Sequence, residues 1–228
     1  MFHHTICFDD FAAGAAQFIL EKGKIAISER GLFRLGLAGG NTPRPIHEAM
    51  AAQGADFPWD KVQITFGDER CVPPDDKDSN YAMAKASLLD RVPIPEGNVF
   101  RMRGEIDPEA AATEYERKLS AVAQRFGEAK YRHDLLLLGL GPDGHTASLF
   151  PGLAALGVTD RDAIPVIGPK PPPQRITLTF PLIKASREIA FLVKESAKAD
   201  VVREVQFGDA RHPASRVGSA TWLLSFPL

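Results

Sequence analysis

Four consecutive leucines, Leu135 to Leu138, followed at once by Gly139, constrain this chain more than any other stretch. An unbroken apolar run of strand length has no solvent-facing side, so it reads as a strand buried on both faces, as inside a parallel sheet covered by helices. The run opens the segment Asp134 to Gly152, DLLLLGLGPDGHTASLFPG. Gly139, Gly141, Pro142 and Gly144 predict a turn where backbone approaches a ligand unobstructed, and Thr146 to Phe150 reads as a short helix. Open parallel sheets bind ligands beyond the carboxyl ends of their strands, so Asp143 and His145 fall where chemistry is expected. Histidine exchanges a proton near neutral pH, and a carboxylate two residues away can orient its ring in a tight turn. The plainer alternative is a loop histidine that caps the next helix.

The rest of the chain repeats the pattern of strand, polar turn and helix. Thr5 to Phe8 reads as an edge strand, and Asp9 or Asp10 caps a helix from about Phe11 to Arg30, closed by Gly31. Leu32 to Leu37 is a second strand feeding Ala38-Gly39-Gly40-Asn41-Thr42-Pro43, with Pro43 opening a helix. Glycines, a hydroxyl and a helix N-terminus together suit an anion, whereas the spacings of GxxxxGK[ST] and GxGxxG are both missing. Val62 to Phe66 is the next strand, with Asp68, Glu69 and Arg70 directly beyond it. Ser79 or Asn80 caps a helix through Leu89, with Asn80 and Tyr81 turned toward the same cleft, and Pro108 starts another helix. Pro169 to Pro173 forms an extended rim after an ambiguous stretch, Leu153 to Ile167. Arg175 to Phe180 and Glu188 to Val193 are strands, each followed by a helix, and Thr221 to Phe226 returns to the sheet. Lys198 lies in the first turn of its helix, where a cation is unfavourable unless it serves an anion.

Length and composition set the frame for these elements. A chain of 228 residues suits one α/β domain spanning 1–228, with a mainly parallel, Rossmann-like sheet flanked by helices on both faces. A net charge of −2 and 44% hydrophobic residues argue against disorder and against a nucleic-acid-binding polyelectrolyte. The N-terminus lacks the pattern of a signal peptide, and no apolar run reaches the length of a membrane span, so a cytoplasmic protein is expected. Cys7 and Cys71 are the only cysteines and are expected to be reduced, Cys71 as a small buried residue beside the site.

AGGNTP, FGDER, GLGPDGHTASLFPG, PPPQRITLTFPLI and FLVKESAKADVV, in this order, resemble the 6-phosphogluconolactonases of the glucosamine-6-phosphate isomerase/6-phosphogluconolactonase family over nearly the whole chain. The resemblance implies hydrolysis of 6-phospho-D-glucono-1,5-lactone to 6-phosphogluconate in the oxidative pentose phosphate pathway, with no cofactor and no metal. His145 matches the family's histidine, which takes a proton from water, and Asp143 orients it. Asp68 and Arg70 match the DER segment, Asp68 as a further catalytic acid and Arg70 holding either the phosphate or the developing carboxylate. Gly39, Gly40 and Thr42 match the phosphate cradle, and Arg175 and Lys198 match cations near the sugar phosphate. Two features depart from the family: VKESAKA lacks the glycine that many relatives carry ahead of the lysine, and WLLSFPL lacks the acidic, alanine-rich finish.

The implied partner is a small sugar-phosphate lactone, with neither nucleic acid nor membrane, and the chain is expected to be a monomer or weak homodimer. Two rival readings remain. An amino-sugar-phosphate isomerase-deaminase resembles this chain but carries an acid shortly after its DGH, where Phe150 stands here. A sugar-phosphate sensor would need no His145.

Overall fold

The computed structural model describes residues 2–228. In chain order the elements are β1 (His3–Cys7), α1 (Phe11–Arg30), β2 (Phe33–Leu37), α2 (Pro43–Gln53), β3 (Val62–Phe66), β4 (Asp68–Arg70), α3 (Asn80–Ala84), α4 (Pro108–Arg125), β5 (Leu135–Gly139), β6 (Ala163–Ile167), β7 (Gln174–Leu178), α5 (Phe180–Ala185), β8 (Ile189–Val193), α6 (Ala199–Gln206) and β9 (Ala220–Leu224). Six strands form a wholly parallel sheet in the order β1-β9-β8-β5-β2-β3. The leucine strand β5 sits inside it, between β8 and β2.

Alternation along β5 explains why no residue of the run is polar. Leu136 and Leu138 enter a core with Tyr115, Leu119, Phe191 and Trp222, whereas Leu135 and Leu137 enter the opposite core with Ile19, Ile46 and Leu223. All four leucines are at most 1% exposed. Burying one such side chain contributes about 1.5–3 kcal/mol, so this strand alone joins both helical layers to the sheet.

Local signals set the helix boundaries. Asp10 accepts the Ala13 N–H at 3.1 Å to start α1, and Gly31, at φ 79°, ends it in the left-handed conformation. Ser79, rather than Asn80, caps α3 through the Ala82 N–H at 3.1 Å, and that helix continues as a π-turn over Lys85–Leu89. Asp107 caps α4, with Pro108 at its first position. Lys198 lies in a 3-10 turn, Ser196–Lys198, that runs directly into α6, so it does sit in the first turn of that helical segment.

A second, antiparallel sheet of order β4-β7-β6 lies beside the first and does not stand out in the sequence. The DER segment, read as a polar cluster past a strand, is itself the short strand β4, and Arg70 pairs in register with Arg175 on β7. The ambiguous stretch 153–167 supplies β6, which tolerates Pro165 because it is an edge strand. Arg175 to Phe180 ends as a strand at Leu178, and Phe180 already begins α5.

Two histidines are fully buried away from the carboxyl ends of the parallel strands. His133 hydrogen-bonds Thr65 Oγ1 at 2.9 Å and Ser186 Oγ at 3.1 Å, and burial, aided by the Arg34 charge, pushes its pKa down to about 3. His47 meets Ser87 Oγ at 3.0 Å, and burial pushes it down to about 4. The unfolded chain protonates both near the ordinary value of about 6.5, while the folded chain resists until much lower pH. Stability should therefore fall as pH drops from about 6.5 to 5, at a limiting slope of about 1.4 kcal/mol per pH unit for each histidine. Urea unfolding across this range should show that slope, and His47→Gln should make it shallower by about half.

Candidate active site

The strand order reverses direction between β2 and β5, since β2 leads to β3 on one side while β5 leads to β8 and β9 on the other. At such a switch point the carboxyl ends of neighbouring strands part, and a crevice opens. A cleft of about 310 Å³ lies there, lined by the 38–43 turn after β2, the 139–142 turn after β5, Gly67, Asp68, Arg70, His145, Ala147, Arg175, Glu195 and Lys198. The 38–43 turn fits tightly. A Cβ on Gly39 would come within 2.3–2.4 Å of the Asn80 side-chain amide, and Gly40 takes φ 89°. Thr42 makes no capping bond to α2, and its hydroxyl instead donates a long bond of 3.5 Å to Glu195 Oε1 on the cleft side.

The 139–145 turn holds the Asp143–His145 pair. Asp143 accepts from the His145 ring Nδ1 and from its backbone N–H at 3.3 Å, which fixes the ring's orientation. With a carboxylate accepting at Nδ1, the proton resides there, and Nε2 carries the lone pair. Gly141 makes this possible, because a Cβ there would lie 2.0 Å from Nδ1. The other side of the ring packs on Phe150, with centroids 4.3 Å apart and planes at 34°, and the Arg175 guanidinium lies 5.6 Å from the centre of the same phenyl ring. Burial pulls the His145 pKa below its usual value; Asp143 opposes this, the nearby Lys170 charge reinforces it, and the net direction is downward. Burial, the largest single cause, pushes the Asp143 carboxyl up, but the hydrogen bond and charge of His145 together with backbone N–H groups outweigh it and leave the group below the usual carboxylate range.

No helix forms at Thr146 to Phe150, contrary to expectation. Ala147 takes φ 48° and Thr146 bridges to Leu149, so the chain folds back instead of coiling. Ser148 is the reason the tight turn holds: its N–H donates to Thr177 Oγ1 at 3.1 Å and its hydroxyl to Asp68 Oδ2 at 2.7 Å. Asp68 also accepts from Asn80 Nδ2 at 3.2 Å and lies 3.9 Å from Arg175 Nη1. This buried carboxylate thus ties β4, α3 and the histidine turn together. Its neighbour Glu69 faces elsewhere, accepting the N–H groups of Asn80 and Tyr81 at 2.7 and 2.8 Å.

Each site residue expected from sequence lines this cleft except Asp143, which touches it through His145. Arg70 donates Nη1 to the Asp78 carbonyl at 2.6 Å, and its buried Nε–H has no acceptor among the described residues. Arg175 is held by the carbonyls of Pro172 at 3.0 Å and Lys170 at 3.3 Å, so the proline-rich segment is indeed a rim. Burial lowers the Arg175 pKa, an effect that Asp68 offsets and Arg70 adds to. Asn80 and Tyr81 do not line the cleft; Asn80 stands behind Gly39, and Tyr81 packs on Phe66. Burial, then the charges of Glu69 and Asp107, push the Cys71 thiol up to about 11, which suits an inert packing residue.

Sequence reasoning overlooked Glu195, Ser148 and the wall made by Phe150. Glu195 follows β8 directly, so the rule that polar residues past a strand's carboxyl end mark the site would have found it. Also overlooked was His212, which bonds Glu204 Oε2 at 2.6 Å and reaches the Asp143 carbonyl at 3.3 Å behind the histidine turn.

A sheet of this topology, with a hydrogen-bonded Asp–His pair and three cations at its switch point, defines an α/β protein with a cleft suited to a small anion. Comparison with known proteins narrows the class. Residues 8–224 match the sequence family described as glucosamine-6-phosphate isomerases/6-phosphogluconolactonase. The 6-phosphogluconolactonase of Synechocystis sp. is 43% identical over 206 residues, covering 87% of this chain and 84% of that protein. The human 6-phosphogluconolactonase is 36% identical, covering 90% and 80%. The crystal structure of 6-phosphogluconolactonase from Thermotoga maritima superposes with a TM-score of 0.87 at 30% identity, over 98% of this chain and 99% of that one. This chain belongs to the glucosamine-6-phosphate isomerase/6-phosphogluconolactonase family. A monomeric glucosamine-6-phosphate deaminase, 21% identical with a TM-score of 0.80, shares the fold.

The electrostatics around His145 can be checked without any substrate. Lys170→Gln removes a charge that lowers the ring's pKa, and Asp143→Asn removes one that raises it. In NMR titrations His145 should therefore titrate higher than wild type in the first variant and lower in the second.

Proposed function

We propose that the protein hydrolyses 6-phospho-D-glucono-1,5-lactone to 6-phospho-D-gluconate, the lactone step of the oxidative pentose phosphate pathway, with water activated by His145 and without a metal. The observation carrying this reading is the Asp143–His145 pair, oriented through Nδ1, in a cleft lined by Arg70, Arg175 and Lys198. His145 Nε2 takes a proton from water as its oxygen attacks the lactone carbonyl carbon. The tetrahedral intermediate then expels the ring oxygen, which receives that proton from the imidazolium and becomes the sugar's hydroxyl. Asp143 stabilises the transient imidazolium. The phosphate is held by the Gly39, Gly40 and Thr42 turn at the start of α2, with Lys198 and Arg175 supplying charge. Arg70, with a donor left over, serves a substrate oxygen. Asp68 is a positioning residue, because its carboxylate is already engaged by Ser148 and Asn80.

The donor set supports metal-independence. Asp68, Asp143 and Glu195 are each bonded to protein donors. The one group of potential metal ligands among the described residues, Glu204, Asp209 and His212, is outside the cleft lining and paired with Arg211. Phe150 disfavours the deaminase reading, since an apolar ring at this point supplies no second proton relay. Both cysteines are free thiols, in keeping with a cytoplasmic enzyme, here proposed to act as a monomer or weak homodimer. Among the described residues no helix is long and apolar enough to cross a membrane.

His145→Asn should lower turnover of freshly generated lactone by about 10²–10⁴-fold above the spontaneous background, with little change in KM. Because the His145 pKa lies below its usual value, the wild-type rate should rise with pH through an ionisation below about 6.5 and be flat at neutral pH. The Asn variant should lack that limb; wild-type turnover in it would refute the assignment. Activity should also survive EDTA, whereas loss that a divalent ion restores would refute metal-independence.

A further inference from the structure

Glu195 is an acid in a cleft otherwise arranged to attract anions. Its Oε2 lies 2.9 Å from Lys198 Nζ, and its Oε1 accepts a long hydrogen bond of 3.5 Å from Thr42 Oγ1. Thr42 follows β2 and Glu195 and Lys198 follow β8, and in the sheet these two strands flank β5. The carboxylate therefore spans the end of β5, above the middle of the crevice. A phosphate contacting both Thr42 and Lys198 has to lie where this carboxylate lies.

We propose that Glu195 is an internal stand-in for the substrate's phosphate, one that must give up Lys198 and Thr42 when any phosphate enters and thereby keeps the empty site from filling with small free anions. The inference rests on the phosphate position given under Proposed function and adds an affinity-setting residue to it. Burial pushes the Glu195 carboxyl up, but its bonds to Lys198, a backbone N–H and Thr42 outweigh this and hold it below the ordinary carboxylate range. It is thus an anion at neutral pH, and two anions cannot share one cation and one hydroxyl. The Glu195 side chain is 49% exposed, so it has open solvent into which to swing, whereas Lys198 is only 22% exposed and stays.

The displacement costs every phosphate-bearing ligand alike, so occupancy depends on what else each ligand brings. Inorganic phosphate gains only the contacts that Glu195 already makes, so the exchange yields little. A sugar phosphate also gains the contacts of its ring and lactone near His145 and the arginines, which offset the displacement of the carboxylate. The same competition hastens departure of the phosphorylated product.

Binding of inorganic phosphate, followed by calorimetry and by the amide shifts of Gly39, Gly40 and Thr42, tests the idea without relying on turnover. Glu195→Gln keeps an acceptor for Thr42 and removes the charge, and Glu195→Ala removes the group altogether. Both should bind phosphate about 3–10-fold more tightly than wild type, as expected for relief of one partly exposed ion pair and its repulsion. Both should also lower the KM for the lactone and tighten inhibition by the phosphorylated product, without raising kcat, because Glu195 touches no reacting atom and its loss slows product departure. Phosphate affinity equal to or weaker than wild type in both variants overturns the role of Glu195 while leaving the phosphate position intact. If phosphate shifts none of the three amides in wild type or variants, and Lys198→Ala leaves KM unchanged, the phosphate position is wrong and this inference falls with it.

Discussion

Everything in this molecule hangs on a strand that must be buried on both sides. The four leucines of β5 alternate between two cores, and each core recruits its own helical layer: α1 and α2 on one side, α4 and α6 on the other. A strand so enclosed can meet solvent only at its ends. Its carboxyl end is where the glycines begin, and the neighbouring strands diverge there because the chain winds outward from β5 in two directions. The cleft is a consequence of covering β5, and the polar residues that line it are those the buried strands could not contain.

Much of this was legible beforehand because the responsible forces are local. Asp10 and Gly31 bound α1, Pro43 and Pro108 open helices, and the leucine run marks the sheet interior, each through contacts within a few residues. The second sheet was hidden for the opposite reason. Strand β4 has three residues, too few to display a period, and its partner β7 lies far along the chain. The turn at Ala147 was hidden as well. Alanine carries no signal for a left-handed conformation, and what holds it there is Ser148 reaching Asp68 across 80 residues of sequence. Glu195 meets Thr42 across 153 residues, so local reasoning could name both residues without joining them.

The cleft also shows how charge is managed by protein groups. Asp68 is bound by Ser148 and Asn80 and Asp143 by His145, so Arg70 and Arg175 are not simply cancelled, whereas Lys198 is paired with Glu195. Arg70 and Arg175 are cross-strand neighbours, a pairing that repels in itself and is tolerated because backbone carbonyls and Asp68 surround the guanidinium groups. Such an arrangement is costly when empty and favourable once an anion arrives, which is what preorganisation means in electrostatic terms.

Phe150 carries a consequence for how this fold changes its chemistry over time. Its ring is the shelf on which His145 rests, and the same ring lies beneath Arg175. An acid introduced here would place a second carboxylate beside His145, but it would also remove the shelf, leaving the histidine with Asp143 alone to orient it. Any new proton carrier at this position therefore loosens the histidine it would work with. The order in which mutations can accumulate around His145 is constrained by packing, not by the availability of a proton carrier.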